Sequence, residues 1–285
     1  MNYKLNTQKK TKKSLTEKIA TRDKFRVGRN YHASLRGYQV RKDILDAMSR
    51  SIEIDFLEKD KKTLILDAGC GPGIVGDYVY QEITKKYNLT PLVIFGDISE
   101  AMLEAVPKNP NYIIVKNDVT KLEFPDNFFD VVVMKQVLDY LPRNLQLRAL
   151  NEIYRVLKLD GQFVLSALIS PDDNQNILTN KLYNEREKII AKKVKIQKYI
   201  PTKNILLDWL NHTNFKGIEV KYIYDIPLSI LDFQQSFGLD KNQTEKLTKL
   251  YFDIVKRDKE NFFKSKEVEN MAELIEKGII LRCNK

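Results

Sequence analysis

A glycine-rich turn directly after an apolar run is the feature that most constrains the fold of this chain. Residues 64–76 read LILDAGCGPGIVG, so an apolar run ends in an aspartate and four glycines follow. A short run that is apolar throughout is typical of a strand buried on both faces, as in a parallel sheet. Glycines after such a strand let the backbone turn sharply and approach a ligand at the start of a helix. The stretch therefore predicts a strand, a turn and a helix in succession.

The rhythm of apolar runs continues along the chain and predicts the fold class. Similar runs lie at 63–67, 91–97, 112–118, 129–135 and 161–168, and two more strand patterns lie at 217–227 and 278–283. Residues 144–158 carry apolar side chains at helical spacing, and Ser99 is a candidate N-cap for a helix that runs to Pro107. Because strands that alternate with helices form parallel sheets, we predict an α/β protein with a doubly wound, mostly parallel, seven-stranded sheet.

Composition excludes several classes of protein. Hydrophobic residues make up 43% of the chain and charged residues 30%, which favours a folded domain over a disordered chain. Only two cysteines and two histidines occur, so neither a disulfide framework nor a protein-held transition metal is expected. No apolar run approaches the roughly 18–20 residues that a membrane-spanning helix needs. The N-terminus is lysine-rich and lacks an apolar signal core, so we expect a soluble, cytoplasmic protein.

The net charge of +10 is concentrated at the N-terminus. Residues 1–50 contain 14 lysines and arginines against 4 aspartates and glutamates, and the rest of the chain is balanced. An enzyme that binds nucleic acid along its surface would carry its positive charge more widely, so a nucleic-acid partner is not expected. We interpret residues 1–24 as a basic, flexible tail. The alternative is an arm that contacts RNA or an acidic partner.

The glycines allow two registers of ligand-binding motif. Gly71, Gly73 and Gly76 spell the G-x-G-x-x-G pattern of dinucleotide-binding turns, which usually starts directly after the strand. Here an aspartate and a further glycine come first, so the register that fits the end of the strand is D-x-G-x-G-x-G, starting at Asp67 and Gly69. In that register the G-x-G-x-x-G match is a coincidence of overlapping glycines.

Five ordered segments decide between the two registers. LDAGCGPG, GDISEAML, NDVTKLEFPDNFFDVVV, VLDYLP and LNEIYRVLKLDGQFVLS follow one another within residues 62–168. In this order they resemble the class I S-adenosylmethionine-dependent methyltransferases, particularly the branch that acts on small molecules and quinones. The resemblance implies a Rossmann-like methyltransferase fold, S-adenosylmethionine as the cofactor, and helical lid or cap insertions. It extends more loosely over 25–60 and 200–227.

The resemblance also implies the residues that hold the methionine and ribose parts of the cofactor. The backbone of Gly69, Gly71 and Gly73 would lie under the methionine part, with Asp67 near its ammonium group. Asp97, which ends the second strand, would accept hydrogen bonds from both ribose hydroxyls, as a carboxylate can from a vicinal diol.

Further residues are implied at the adenine and at the transferable methyl group. Ile98 and Met102 would pack on the adenine face. Asp118 would accept a hydrogen bond from the amino group of the adenine, with the Val119 amide beside it. Asp118 also fits a plain turn, because Asn-Asp is a common turn pair. Lys135 follows the fourth strand, where its backbone, more than its side chain, would border the methyl group.

An N-terminal segment, RNYHASLRGYQV, resembles the part of related chains that folds over the cofactor. Tyr31 and Tyr38 would close this lid, and Arg36 would reach the methionine carboxylate. Plain packing and a surface arginine are the alternative interpretation. His32 and Tyr140 are the candidate catalytic residues, because a general base helps when the acceptor must lose a proton.

The class of acceptor is predicted by excluding methyltransferase classes whose motifs are missing. After the fourth strand the chain reads MKQVLDY, which lacks the Asn/Asp-Pro-Pro-aromatic motif of amino-methylating nucleic-acid enzymes and the paired glutamates of protein-arginine enzymes. Neither cysteine is placed as the nucleophile for base C5-methylation. We therefore predict methyl transfer by in-line displacement to an O, N or C atom of a small molecule. The alternatives are an RNA or protein methyltransferase that uses the basic arm, and a catalytically inactive cofactor-binding partner subunit.

The domain organisation follows from these assignments. We predict a tail over 1–24, an N-terminal helical lid over 25–60 and a methyltransferase domain over 61–285. Cap insertions are expected at about 172–200 and 228–273, where specificity for the acceptor would arise.

Overall fold

The computed structural model describes residues 41–54, 62–190, 197–258, 263, 266–268 and 271–285. The strands are β1 (Leu64–Ala68), β2 (Leu92–Asp97), β3 (Tyr112–Lys116), β4 (Phe129–Lys135), β5 (Leu157–Ile169), β6 (Lys216–Leu228), β7 (Lys266–Val268) and β8 (Met271–Asn284). The helices are α1 (Lys42–Arg50), α2 (Ile74–Tyr87), α3 (Glu100–Leu103), α4 (Arg143–Val156), α5 (Asp173–Ile190), α6 (Lys203–His212), α7 (Ile230–Phe237) and α8 (Lys241–Arg257). A short 3-10 helix, Leu138–Tyr140, follows β4.

The strands form one sheet in the order β3-β2-β1-β4-β5-β8-β6, and the short β7 pairs with β8 beside this path. The first five strands are mutually parallel, whereas β8 runs antiparallel between β5 and β6. The predicted mostly parallel, seven-stranded sheet is therefore confirmed. The strand order reverses between β1 and β4, so the crevice of the fold opens at their carboxyl ends.

Helices cover both faces of the sheet because each central strand is apolar on both sides. In β4, Val131 and Val133 point to the face covered by α1 and α2. Val132 and Met134 point to the opposite face, which α4 and α6 cover. Every one of these four side chains is fully buried. This two-sided burial accounts for the unbroken apolar runs in the sequence.

A third apolar cluster forms a cap beyond the carboxyl end of the sheet. It joins α5, α7, α8 and the first part of β8 through side chains such as Leu182, Phe233, Tyr251 and Leu274. The segment predicted as the first insertion contains α5, and the segment predicted as the second contains α7, α8, β7 and the start of β8.

Helix α1 packs against the sheet within the segment predicted as a lid. Ile44 and Met48 of α1 are fully buried in the cluster that includes α2 and β5. Arg41, just before α1, donates from Nη1 to the backbone oxygen of Asp225 in β6. The remainder of the predicted lid up to residue 40, and the predicted tail over 1–24, lie outside the described residues.

Two predicted helices are shorter than expected. The helix predicted from Ser99 to Pro107 is limited to α3 and ends at Leu103. The chain turns after it and buries Val106 in the same cluster as Phe95. Ser99 occupies the N-cap position, but its side chain makes no capping hydrogen bond. Helix α4 ends at Val156, and Leu157 already belongs to β5.

Candidate functional site

The glycine turn after β1 lies at the crevice and is fixed to the neighbouring strand. The amides of Gly69 and Cys70 both donate to the backbone oxygen of Gly96 in β2, at 2.7 and 3.0 Å. Gly69 has a φ of +71°, and a Cβ there would stand 2.4 Å from Cγ2 of Val137. Gly71 has a φ of +53°, but a Cβ there would meet nothing within 4 Å. The turn thus packs tightly at Gly69 and presents open backbone at Gly71.

Asp67 lies at the base of this turn and is almost completely buried, with 1% of its surface exposed. Its Oδ2 accepts a hydrogen bond of 2.8 Å from the backbone amide of Gly76, at the start of α2. The pKa of Asp67 is raised to about 7, mainly by burial and to a lesser extent by the nearby Asp97 carboxylate. The Gly76 hydrogen bond and the Lys135 ammonium act in the opposite direction. A cationic group that reaches Asp67 would therefore favour its ionised form.

Gly76 has a packing role that the sequence analysis does not assign to it. A Cβ at Gly76 would stand 2.6 Å from Cε1 of Phe95 and 3.0 Å from Oδ2 of Asp67. Gly76 is therefore required for the close packing of α2 on the sheet, whichever ligand the turn holds. This is the packing role that the third glycine also has in dinucleotide-binding turns.

Asp97 ties the glycine turn to the segment after β2. Its Oδ2 accepts from the amide of Gly71 at 2.8 Å, and its Oδ1 accepts from the amide of Ser99 at 2.8 Å. Its side chain is largely buried. Both carboxylate oxygens are thus oriented by backbone amides.

The residues predicted to border adenine lie at the ends of β2 and β3. Met102 and Val119 are buried, and Ile98 is half-buried. Asp118 accepts from the amide and the hydroxyl of Thr120 at 2.8 and 2.7 Å, so it supports the turn that the Asn-Asp pair suggests. Its role toward adenine stays a prediction.

Lys135 is at the end of β4, and its side chain lies near charged groups on both sides of that strand end; the predicted role of its backbone stays a prediction. Its ammonium interacts electrostatically with the carboxylates of Asp139 and Asp67 and with the Arg41 cation. Burial lowers the pKa of Lys135 to about 8, although both carboxylates oppose that shift. Lys135 therefore connects the base of the glycine turn to the turn after β4.

Tyr140 ends the 3-10 helix after β4 and contacts a residue that the sequence analysis does not find. The Nζ atom of Lys198 lies 4.1 Å from the centroid of the Tyr140 ring. Lys198 belongs to the lysine-rich segment after α5, which looks solvent-exposed in the sequence, yet only 6% of its side chain is accessible. The signal that could have found it is the repeat of asparagine at every fourth position, at Asn176, Asn180 and Asn184.

The four predicted N-terminal site residues cannot be placed. Tyr31, His32, Arg36 and Tyr38 all lie outside the described residues.

No helix in the described part of the chain is both long and apolar enough to cross a membrane. Within the same ranges, no group of three or more His, Cys, Asp or Glu side chains is arranged to hold a metal ion.

Comparison with protein families and curated proteins agrees with the position of this site. The family model described as "Methyltransferase domain" matches residues 66–165, from β1 to β5. A demethylmenaquinone methyltransferase of Bacteroides fragilis is 31% identical over 138 residues, which cover 45% of this chain and 52% of that protein. Malonyl-[acyl-carrier protein] O-methyltransferase 1 of Ilyobacter polytropus is 26% identical over 152 residues, which cover 52% of this chain and 54% of that protein. The chain thus spans about half the length of these curated relatives.

Solved structures extend the similarity to nearly the whole described fold. The crystal structure of BH2331 from Bacillus halodurans matches with a TM-score of 0.67 at 17% identity, over 84% of this chain and 98% of that one. At this level of identity the match shows the fold alone. The family model covers the glycine turn and the crevice strands, so residues 66–165 are similar to the methyltransferase-domain family, within a fold that the BH2331 structure shares.

Proposed function

We propose that the protein is an enzyme that transfers a methyl group from S-adenosylmethionine to an O, N or C atom of a small-molecule acceptor. The observation that carries this proposal is the glycine turn at the crevice, fixed between two buried carboxylates. Asp67 holds the turn to α2 through Gly76, and Asp97 holds it to β2 through Gly71. The turn is therefore rigid where a charged, hydroxyl-bearing ligand would meet it.

The residues present fit this cofactor. The open space at Gly71 lets a ligand lie directly against the backbone of the turn. Ser99 Oγ and Asn117 Oδ1, just after β2 and β3, are buried and have no hydrogen-bond partner among the described residues. Buried polar atoms are normally satisfied, so a nucleoside at this edge would supply the missing partners. The carboxylates of Asp67 and Asp97 match an ammonium group and a ribose diol.

In this proposal each end of the cofactor has its own residues. Asp67 and the backbone of Gly69, Gly71 and Gly73 hold the methionine part, and Asp97 holds the ribose. Ile98, Met102, Asp118 and Val119 surround the adenine, and Lys135 borders the methyl group. Tyr31, Arg36 and Tyr38 would close the site from the N-terminal side.

When bound, S-adenosylmethionine supplies a methyl group whose bond to sulfur breaks, with the electron pair going to sulfur, as the bond to the acceptor atom forms. The chain's own task is to align the acceptor atom and to exclude water, and alignment can contribute on the order of 7–11 kcal/mol in the best cases. A proton must leave only if the acceptor atom carries one. Tyr140 and Asp139 border the crevice as candidates to receive it, and His32 remains a further prediction.

A small-molecule acceptor is supported by two observations. The curated relatives include enzymes named for demethylmenaquinone and for a malonyl group on acyl-carrier protein. The excess of positive charge is confined to residues 1–50, so no basic surface extends across the catalytic domain in the sequence.

Calorimetry with S-adenosylmethionine and S-adenosylhomocysteine tests the cofactor part of the proposal, and NAD serves as the negative control. We expect heat and a thermal shift with the first two compounds and none with NAD. Incubation with radiolabelled S-adenosylmethionine and a metabolite extract should then label a small-molecule fraction. Absence of cofactor binding would contradict the proposal, and binding without transfer would favour a non-catalytic subunit.

A further inference from the structure

The segment that carries Lys198 is held between two helices by side-chain amides. In α5, Asn180 donates to the backbone oxygen of Ile200 at 3.0 Å and accepts from its amide at 2.7 Å. One helical turn later, Asn184 donates to the backbone oxygen of Lys198 and accepts from its amide, both at 3.0 Å. The asparagines thus pair with alternate residues, as a neighbouring strand would.

The other side of the segment is fixed to the turn after β4. Gln146 of α4 is fully buried, and its Nε2 donates to the backbone oxygen of Leu141 at 3.0 Å and to that of Tyr199 at 2.6 Å. Leu141 directly follows Tyr140. Lys198 is therefore positioned from two sides, and its side chain is directed toward Tyr140.

The Lys198 ammonium is buried and has an acidic neighbour. Its Nζ lies 2.8 Å from Oε1 of Glu187, and the two side chains are 6% and 9% exposed. The same atom stands over the Tyr140 ring at 4.1 Å and 5.8 Å from the centroid of the Tyr183 ring. A lysine ammonium has three donors, so this arrangement leaves donor capacity beyond the Glu187 pair.

This buried cation belongs to a line of ionisable groups that starts at Lys135, at the end of β4. Asp139 interacts electrostatically with Lys135 at the end of β4 and with Tyr183 of α5. Tyr183 in turn lies beside Lys198. The line therefore connects the proposed methyl-transfer site to the cap.

A purely structural role does not explain the pair well. Removing a lysine and a glutamate from water is costly, and apolar residues of similar size often replace such a pair without loss of stability. The cap already has an apolar cluster that holds its helices together. A buried lysine at the edge of a crevice is better explained by a ligand that needs its charge.

We propose that Lys198 binds an anionic oxygen group of the acceptor, on the face of Tyr140, and that the acceptor is therefore a small organic acid. This inference rests on the proposed function and specifies its substrate class. Glu187 balances the lysine charge in the absence of the acceptor and competes with the incoming anion. Removal of its charge should therefore strengthen the binding of acids.

Matched pairs of acids and amides test this proposal. The probes are phenylacetate with phenylacetamide and 4-hydroxybenzoate with 4-hydroxybenzamide, each titrated in saturating S-adenosylhomocysteine and followed by ligand-observed NMR. For the native chain we expect at least one acid to bind roughly tenfold or more tightly than its amide, as expected for a charge-assisted hydrogen bond. Lys198→Met should abolish that preference, and Glu187→Gln should increase it severalfold.

Lys188→Met is the matched control, because Lys188 pairs with Glu185 at 2.6 Å on the exposed side of α5. It should keep the full preference for the acid. Binding of S-adenosylhomocysteine by each variant reports that it is folded. Since Glu187→Gln is expected to strengthen binding, misfolding cannot mimic its result.

The possible failures are distinguishable. If the native chain does not bind S-adenosylhomocysteine, the proposed function fails. If it does bind, but no acid is preferred over its amide, or Lys198→Met keeps the preference, the assignment of Lys198 is overturned and the proposed function stands.

Discussion

The glycine turn and the cap both follow the carboxyl ends of parallel strands and are built in different ways. The turn presents backbone, and its two carboxylates are oriented by amides from within residues 67–99. The cap is instead held together by charged side chains from distant segments, such as Arg186 of α5 with Glu276 of β8, at 2.7 Å. The glycine turn is built mainly from the main chain of one continuous segment, whereas the cap is assembled from segments that are distant in sequence. The first suits a cofactor of constant shape, and the second suits an acceptor that differs between relatives.

The largest expected effect is on the cap, because its charges are almost fully buried. Arg186→Met would leave Glu276 without its cationic partner, and loss of one member of a buried pair costs about 3–5 kcal/mol of unfolding free energy. Urea denaturation should show this, and Arg186→Met combined with Glu276→Leu should recover most of the loss. Lys116→Met, which breaks an exposed pair with Glu100, should cost at most about 1 kcal/mol. If Arg186→Met and Lys116→Met lower the unfolding free energy equally, burial does not distinguish the two ion pairs.

The next effect is on the cofactor side. Asp97→Ala removes a charged acceptor that also orients Gly71 and should weaken S-adenosylmethionine binding roughly ten- to hundredfold, or about 1.5–3 kcal/mol. Calorimetry measures this directly. Asp208→Ala on the exposed surface of α6 is the control and should bind normally. Unchanged affinity in Asp97→Ala would remove this residue from the site.

Substitutions at Gly69 and Gly71 distinguish the effect of packing from the effect of ligand access. Gly69→Ala introduces both an unfavourable φ and a clash with Val137, so we expect about 2–4 kcal/mol of destabilisation. Gly71→Ala has only the unfavourable φ and should cost about 1–2 kcal/mol, but its methyl group points into the open space of the site. Thermal unfolding should therefore rank Gly69→Ala as the worse variant. If Gly71→Ala binds the cofactor normally, the ligand does not lie against that residue.

The most gradual effect is a pH dependence from Asp67, which is spread over about three pH units. Its pKa is near 3.8 in the unfolded chain and about 7 in the folded one, so the folded state keeps a proton that the unfolded state has lost. Its contribution to stability is therefore fully present below pH 3.8, declines as pH rises toward 7, and is constant above. The difference in unfolding free energy between the native chain and Asp67→Asn should fall by about 1.4 kcal/mol per pH unit in this window. A flat difference from pH 4 to 8 would contradict the assignment.

The first half of the chain was predictable because its signals are local. Buried parallel strands must be apolar on both faces, so each run from β1 to β5 is visible in the sequence, and the glycine turn follows from its spacing. The short α3 was not predictable, because tertiary packing of Val106 beside Phe95 ends the helix earlier than its composition suggests. The packing role of Gly76 was not predictable for a related reason, since its constraint comes from the Phe95 ring on another strand.

The cap could be located but not interpreted from the sequence. Lys198 stands in a stretch with several other lysines, and residue type does not distinguish a buried lysine from a solvated one. Its burial depends on contacts with α5 and with Gln146 of α4, which are distant in sequence. The asparagines at every fourth position of α5 were a signal in the sequence. Their meaning becomes clear only when an extended segment is known to pack beside the helix.

The asparagine pairing also has a consequence for changes in the length of the chain. Because Asn180 and Asn184 fix Ile200 and Lys198 directly, the register of this segment does not depend on the number of residues that precede it after α5. Insertions or deletions in that connection would leave the anchor of Lys198 in place, whereas the register of a hairpin is set by the length of its turn. A variant of this chain with a longer or shorter connection should therefore keep Lys198 in the same position.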